Sequence, residues 1–309
     1  MRSVEHCRTI ELPDSVRLQL HRHSFFGSPG FAELWESMGG TAVCWIVTDK
    51  GEPVAAMTGV EFRRRPITRF QAMPDGCYAQ LYAAIEISAE RLKLGKELLS
   101  AVWKAGYAKV YVSDYFRQFG LEPDADCAMS ETLVVDISSP DWQPPDQKLL
   151  SEIRKAEREG VEVLTFDASR HLDAFLDLMT GTERRHGRRP KYSQDFFRRL
   201  ARLAETDNRV RWLYVHRNGA PVVSHIYFVE RPMALNWQIY YDKEYSSLKA
   251  NQYTMFTTAR MLAKSGVTHL NLGATPPEAE RVKSYKEKWG GAVHAYPMSV
   301  RKSWLGRIL

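Results

Sequence analysis

The sequence predicts an α/β protein with mixed (α+β) sheets flanked by helices, and with the same order of elements laid down twice. Three observations predict it. A hairpin signal occurs in each half, at Asp49-Lys50-Gly51 and at Asn218-Gly219, each between two strand-like runs. After each hairpin come a strand, a long amphipathic helix and another strand, and each helix stops at a glycine, Gly106 or Gly266. Between the copies lies SSPDWQPPD (138–146), whose three prolines forbid a regular helix and read as an extended connector.

In the first half a short helix is expected over SPGFAELWESM, followed by the hairpin TAVCWIVTDKGEPVAAMTGVEF. CYAQLYAAIEI then reads as a strand, AERLKLGKELLSAVWKAG as a helix and YAKVYVSDY as a strand. Past the connector, Asp146 caps a helix in which Leu149, Leu150, Ile153 and Ala156 recur at helical spacing up to Gly160. The second copy continues with the helix YSQDFFRRLARLAE and the hairpin VRWLYVHRNGAPVVSHIYFVE. The strand MALNWQIYYD, the helix ANQYTMFTTARMLAKSG and the strand VTHLNLGA complete it. Strand–helix–strand implies parallel pairing through a right-handed crossover, and the hairpin beside it makes the sheet mixed. The expected domains are residues 1–145 and 146–309.

The 309 residues are 44% hydrophobic and 26% charged, enough apolar material for two cores. Lys and Arg number 43 against 37 acids, a net +6 that suits a polyanionic partner without demanding one. Cys7, Cys44, Cys77 and Cys127 show no metal-type spacing and read as free thiols in a reducing compartment; no metal is expected. The N-terminus MRSVEHCRTIELPD has no apolar signal region, and no run approaches the ~20 apolar residues that cross a bilayer. A cytoplasmic location follows as the expectation, with the inner face of the membrane as one place of work.

Four segments resemble the FemAB-like (Fem) family of tandem GNAT transferases, the acyl-CoA N-acyltransferase fold. They are HSFFGSPGFAELW (23–35), LLSEIRKAEREGVEV (149–163), RHGRRPKYSQDFFRRL (185–200) and VTHLNLGATPPEAERVKSYKEKWGG (267–291). The last contains an aromatic-Lys-x-x-aromatic-Gly motif, the most specific of the four. The resemblance implies acyl or aminoacyl transfer to an amine, or a hydroxyl, of a phosphorylated cell-envelope precursor of the peptidoglycan type. It implies no tightly bound cofactor and a donor that is aminoacyl-tRNA or an acyl-CoA. The chain lacks the long charged helical insertion that some Fem proteins use as a tRNA-binding arm.

Acyl transfer needs groups that polarise a carbonyl and an anchor for the anionic donor. In a GNAT fold the donor lies where two parallel strands splay, beside the N-terminus of the next helix, where backbone N–H groups favour phosphate. Here that places Lys249, Asn251 and Gln252 at the donor. Neither helix start carries the Q/R-x-x-G-x-G/A loop of acetyl-CoA enzymes. The resemblance puts Lys286 in the donor channel, at the mouth or wall of a cleft, with a compact cation suited to negative charge. Read from spacing alone, Lys283, Lys286 and Lys288 form a solvated face. Tyr240 and Asp242, at a strand end beside the splay, are further catalytic candidates. His225, alone among apolar residues, reads as a satisfied core histidine. RRHGRRPKY (184–192) is a basic cluster able to hold a diphosphate, so Arg185 and Arg188, with Arg154, are candidates for the acceptor's phosphates.

The sequence supports three functional readings. The first is the envelope-directed acyl or aminoacyl transferase. The second is a conventional acetyl-CoA N-acetyltransferase, and the third a catalytically degenerate GNAT pair that binds an anionic partner such as RNA. No DNA-binding motif is present.

Overall fold

A computed structural model describes residues 2–139, 141–275, 279–304 and 306. The chain divides into two compact units, one formed by Met1–Glu131 with Ala295–Leu309 and the other by Thr132–His294. The division differs from the expected boundary. The proline-rich connector lies inside the second unit, and the C-terminal segment returns to the first. Pro140 of that connector lies outside the described residues.

In the first unit, β1 (Arg2–Arg8) and the helices α1 (Asp14–His23) and α2 (Pro29–Leu34) precede the hairpin of β2 (Gly40–Asp49) and β3 (Glu52–Arg64). Lys50 and Gly51 both take positive φ at its turn, as a two-residue hairpin of this kind requires. Next come β4 (Ile67–Ala72), the two-residue β5 (Tyr82–Ala83), α3 (Ser88–Lys104), β6 (Lys109–Ser113) and β7 (Cys127–Asp136). The strand expected at CYAQLYAAIEI shrinks to β5. The partner of β6 is β4, which runs parallel to it from Arg69↔Lys109 to Ala72↔Val112. Cys77 to Leu81 are buried in an irregular segment instead, tied down by the Ala79 N–H on the Ser113 carbonyl.

The helix α3 packs Leu94, Leu98, Leu99 and Val102 onto Val43, Met57, Phe70 and Val110 of the sheet. At Gly95 the backbone comes so close to the Gln118 carbonyl that a Cβ would overlap its oxygen. Gly95→Ala gains about 1 kcal/mol of helix propensity. Overpacking against backbone costs about 1–3 kcal/mol. The substitution is expected to lower the denaturation midpoint, and a midpoint raised above wild type would show that α3 can slide away. Glu61, buried in β3, accepts hydrogen bonds from Tyr107 Oη (2.6 Å) and Arg63 (3.0 Å) and lies 3.1 Å from His6 Nε2. Burial alone would raise this carboxyl, but His6, Tyr107 and Arg63 outweigh burial and hold it at about 2.

In the second unit, α4 (Gln147–Arg158), β8 (Glu162–Thr165), α5 (Ala168–Arg185) and α6 (Gln194–Thr206) lead into β9 (Val210–Arg217) and β10 (Ala220–Glu230). Asp146 and Ser193 cap α4 and α6 by accepting from Leu149 N and Phe196 N. The β9–β10 turn carries positive φ at Asn218 and Gly219. There follow β11 (Met233–Tyr241), α7 (Ala250–Lys264), β12 (His269–Ala274), α8 (Glu280–Glu287) and β13 (Ala292–Lys302). The strand order is β7-β12-β11-β10-β9-β8. Residues Thr132–Asp136 of β7 close this sheet antiparallel to β12, while Met298–Lys302 of β13 pair with β6 in the first unit. Each unit therefore completes its sheet with a strand that the repeat reading did not contain. The core of the second unit gathers Leu133, Ile153, Tyr227, Met255, Leu262, Leu270 and Trp289.

Candidate active site

The site grows out of one irregularity in the second unit's sheet. The strands β11 and β12 pair in parallel at only three positions, ending with Leu235↔Asn271. Beyond that point each carries an extra residue relative to its other neighbour. Register shifts fall between Ile226 and Tyr227 on the β10–β11 side and between Asn271 and Ala274 on the β12–β7 side. Bulges of this kind bend a strand out of its ladder. Gly273, at φ +75°, occupies the bulge in β12. Its N–H donates to the buried Asn271 Oδ1 (2.8 Å), which also accepts from Thr132 Oγ1 (2.5 Å).

The carbonyls that the bulge turns out are taken by Lys286. Its Nζ donates to Gly273 O (2.7 Å) and Ala274 O (3.0 Å). The side chain is 8% exposed, and burial lowers its pKa to about 8. This corrects the solvated-face reading. Lys283, one turn earlier, is exposed, whereas Lys286 points inward onto the end of β12. Residues 276–278, in the GATPPEAE loop between them, lie outside the described residues.

At the other end of β11, Asp242, Lys249, Asn251 and Gln252 line one pocket of about 260 Å³, together with Tyr241, Tyr245 and Ser246. Three separate local features build it. Asp242 caps a short 3-10 turn by accepting from Glu244 N (2.9 Å). Lys249 sits at the N-cap of α7 with φ +59°, so the chain reverses and the first turn of α7 faces the strand end. Glu152 of α4 holds that turn, 3.1 Å from Lys249 Nζ and accepting from Gln252 Nε2 (3.2 Å).

Beneath the pocket runs a buried polar chain. His225, wholly buried in β10, lies 2.8 Å from Tyr227 Oη through Nδ1 and 2.6 Å from Asn251 Oδ1 through Nε2. Burial lowers its pKa to about 4, so the ring is neutral. Asn251 Nδ2 donates to Tyr285 Oη (3.2 Å), and Tyr285 is the residue before Lys286. The chain thus links the pocket to the helix that carries the buried lysine. A lone histidine in an apolar strand gave no sign of these partners, which come from β10, α7 and α8.

The other candidates are placed differently. Tyr240 is 2% exposed and packs edge-on against Phe175 and Phe197. Adjacent strand residues face opposite sides, and Tyr241 is the one that lines the pocket, so Tyr240 is a packing residue. Arg185 donates to the Tyr241 carbonyl (3.0 Å) and stacks on its ring at 4.2 Å, bracing the pocket wall. Arg188 is paired with Glu183 at 3.0 Å, and Arg154 lies on the exposed face of α4. The basic cluster is therefore divided among separate tasks. Among the described residues no group of His, Cys, Asp and Glu could hold a metal, and no helix is long and apolar enough to cross a membrane.

Residues 146–287 match the family model described as an acetyltransferase (GNAT) domain. Among solved structures the chain is similar to FemX, with 12% identity over 95% of this chain and 96% of that one and a TM-score of 0.70. It is similar also to the lysylphosphatidylglycerol synthetase L-PGS from Bacillus licheniformis, with 14% identity over 94% and 92% and a TM-score of 0.62. A tandem GNAT protein from the clavulanic acid biosynthesis pathway gives 11% identity over 98% of both chains and a TM-score of 0.52. No curated protein matches the chain in sequence. These likenesses show the fold, a tandem GNAT arrangement whose second half carries the match to the acetyltransferase domain model.

Proposed function

We propose that this chain, with its FemAB-like tandem GNAT fold, moves an acyl or aminoacyl group from a carrier onto an amine of a cell-envelope precursor. The observation that carries the reading is the pairing of a pocket at the start of α7 with a buried ammonium at the splay of β11 and β12. The names of two similar structures, FemX and lysylphosphatidylglycerol synthetase, support the envelope as the destination. In this reading the pocket takes the donor. Of the three N–H bonds on Lys286, two are spent on Gly273 and Ala274, and the third stabilises the negative charge that grows on the carbonyl oxygen during attack. The amine nitrogen forms the new bond, the carrier leaves with the old one, and the amine proton passes to solvent or to the leaving group.

The start of α7 suits a coenzyme A pyrophosphate poorly. A helix N-terminus favours phosphate, but no glycine allows close backbone approach, and the Asp242 carboxylate lines the same pocket. Acetyl-CoA is expected to bind weakly or not at all in a calorimetric titration. Tight stoichiometric binding would instead make the protein a conventional N-acetyltransferase. The test of the proposal itself is mass spectrometry of the protein with aminoacyl-tRNA, acyl-CoA and lipid-linked or nucleotide-linked envelope precursors. Covalent extension of a precursor amine is the expected product, and absence of any product with either donor and either kind of precursor refutes the reading.

A further inference from the structure

We propose that His225 fixes the polarity of the pocket at α7, so that Asn251 presents an N–H and the ligand group facing it is an oxygen that accepts. The inference rests on the proposed function only in calling that ligand the donor. The hydrogens available to each group settle the arrangement. Asn251 Oδ1 lies 2.6 Å from His225 Nε2, and an amide oxygen can only accept, so Nε2 carries the proton. A neutral imidazole has one N–H, so Nδ1 is the acceptor for Tyr227 Oη–H at 2.8 Å. With its oxygen fixed on the histidine, Asn251 turns Nδ2 towards Tyr285 Oη at 3.2 Å. One of the two Nδ2 hydrogens serves Tyr285. The second belongs to a side chain that lines the pocket.

The consequence is chemical selectivity. A carbonyl oxygen or a phosphate oxygen satisfies that N–H, whereas an ammonium or another N–H donor opposes it. Were His225 to hold its proton on Nδ1, Asn251 would flip and show the pocket its oxygen. His225 touches no ligand and is a positioning residue; its effect is transmitted through Asn251. Asn251 was expected at the donor from its place in the sequence, and the buried chain adds which of its two faces the donor meets.

Nuclear magnetic resonance of the resting protein tests this without turnover. The ¹⁵N signals of His225, assigned by their loss in His225→Gln, should show a protonated Nε2 and an unprotonated Nδ1. A protonated Nδ1 overturns the proposal. The Asn251 side-chain amide, assigned by its loss in Asn251→Asp, is then followed while inorganic pyrophosphate or acetamide is added. A selective shift with pyrophosphate identifies a carrier phosphate as the source of the oxygen, and one with acetamide identifies the acyl carbonyl. No shift with either probe overturns the proposal. Asn251→Asp should weaken the effective probe at least tenfold, because a second carboxylate oxygen replaces the donor. Unchanged affinity in that variant also refutes it. An inactive protein that passes these tests would remove the proposed transfer reaction and leave the polarity of the pocket standing.

Discussion

Lys286→Met is expected to lower kcat/KM for acyl transfer by about 10²–10³, the loss typical of removing one donor to a developing oxyanion. The methionine has nearly the length of the lysine stem and needs no solvation, so the variant relieves the cost of burying an ammonium that is 8% exposed. It also leaves the Gly273 and Ala274 carbonyls without their donor, which costs about 1–3 kcal/mol. The two effects oppose, and folding should survive. Lys286→Ala adds a cavity to the lost donor and is the poorer test. Because burial sets the lysine at about 8, the active ammonium is lost just above neutrality, and the wild-type rate should fall as pH rises through 8. Lys286→Arg keeps its charge to much higher pH, so any activity it retains should show no such limb. Lys283→Ala, on the exposed side of α8, should leave both rate and limb unchanged. Activity in Lys286→Met within threefold of wild type would remove the lysine from the chemistry.

How far this site could be read in advance follows from the period of each element. The hairpins were legible because Lys50-Gly51 and Asn218-Gly219 take the positive φ that such turns demand. The start of α7 was legible because strand, turn and helix follow one another directly, and Asp242, Lys249, Asn251 and Gln252 do share one pocket. The inward turn of Lys286 was not. In α8 the polar pattern looks the same whether the lysine meets water or two carbonyls, and only the bulge at Gly273 decides. Tyr240 and Tyr241 could not be told apart because two tyrosines in succession close β11, and residue type there does not say which of them faces the core. The exchange of β7 and β13 between units was hidden for a different reason. Their pairing partners lie far along the chain, and the division by prolines at 138–146 marks a turn in the path without marking the edge of a core.

Acid should unfold the second unit in a window set by His225. Its folded-state value is lowered to about 4 by burial, against 6.5 for a solvated imidazole. The sign follows from which state holds the proton. Above 6.5 neither does, and the unit has its full stability. As pH falls from 6.5 towards 4 the unfolded chain binds a proton that the folded chain refuses, so stability is lost across that window, by about 3 kcal/mol in all. His171, in the same unit, is lowered by burial too and adds loss of the same sign. Glu61 has the opposite kind of partner. Held at about 2, it sheds its contribution to the first unit only as pH falls from about 4.5 to 2, below the His225 window, while His23 of that unit, lowered by burial, adds an earlier loss of the same sign as His225. Hydrogen exchange of the slow amides in β10 and α7, measured from pH 7.5 to 4.5 and corrected for intrinsic rates, reads the second unit alone. His225→Gln has no titrating ring. It should start less stable at pH 7.5, because Asn251 and Tyr227 lose a well-fitted partner, yet decline less steeply below 6.5. Equal slopes for wild type and His225→Gln would show that the folded protein takes up the His225 proton as readily as the unfolded chain, and that burial does not keep the ring neutral below pH 6.5.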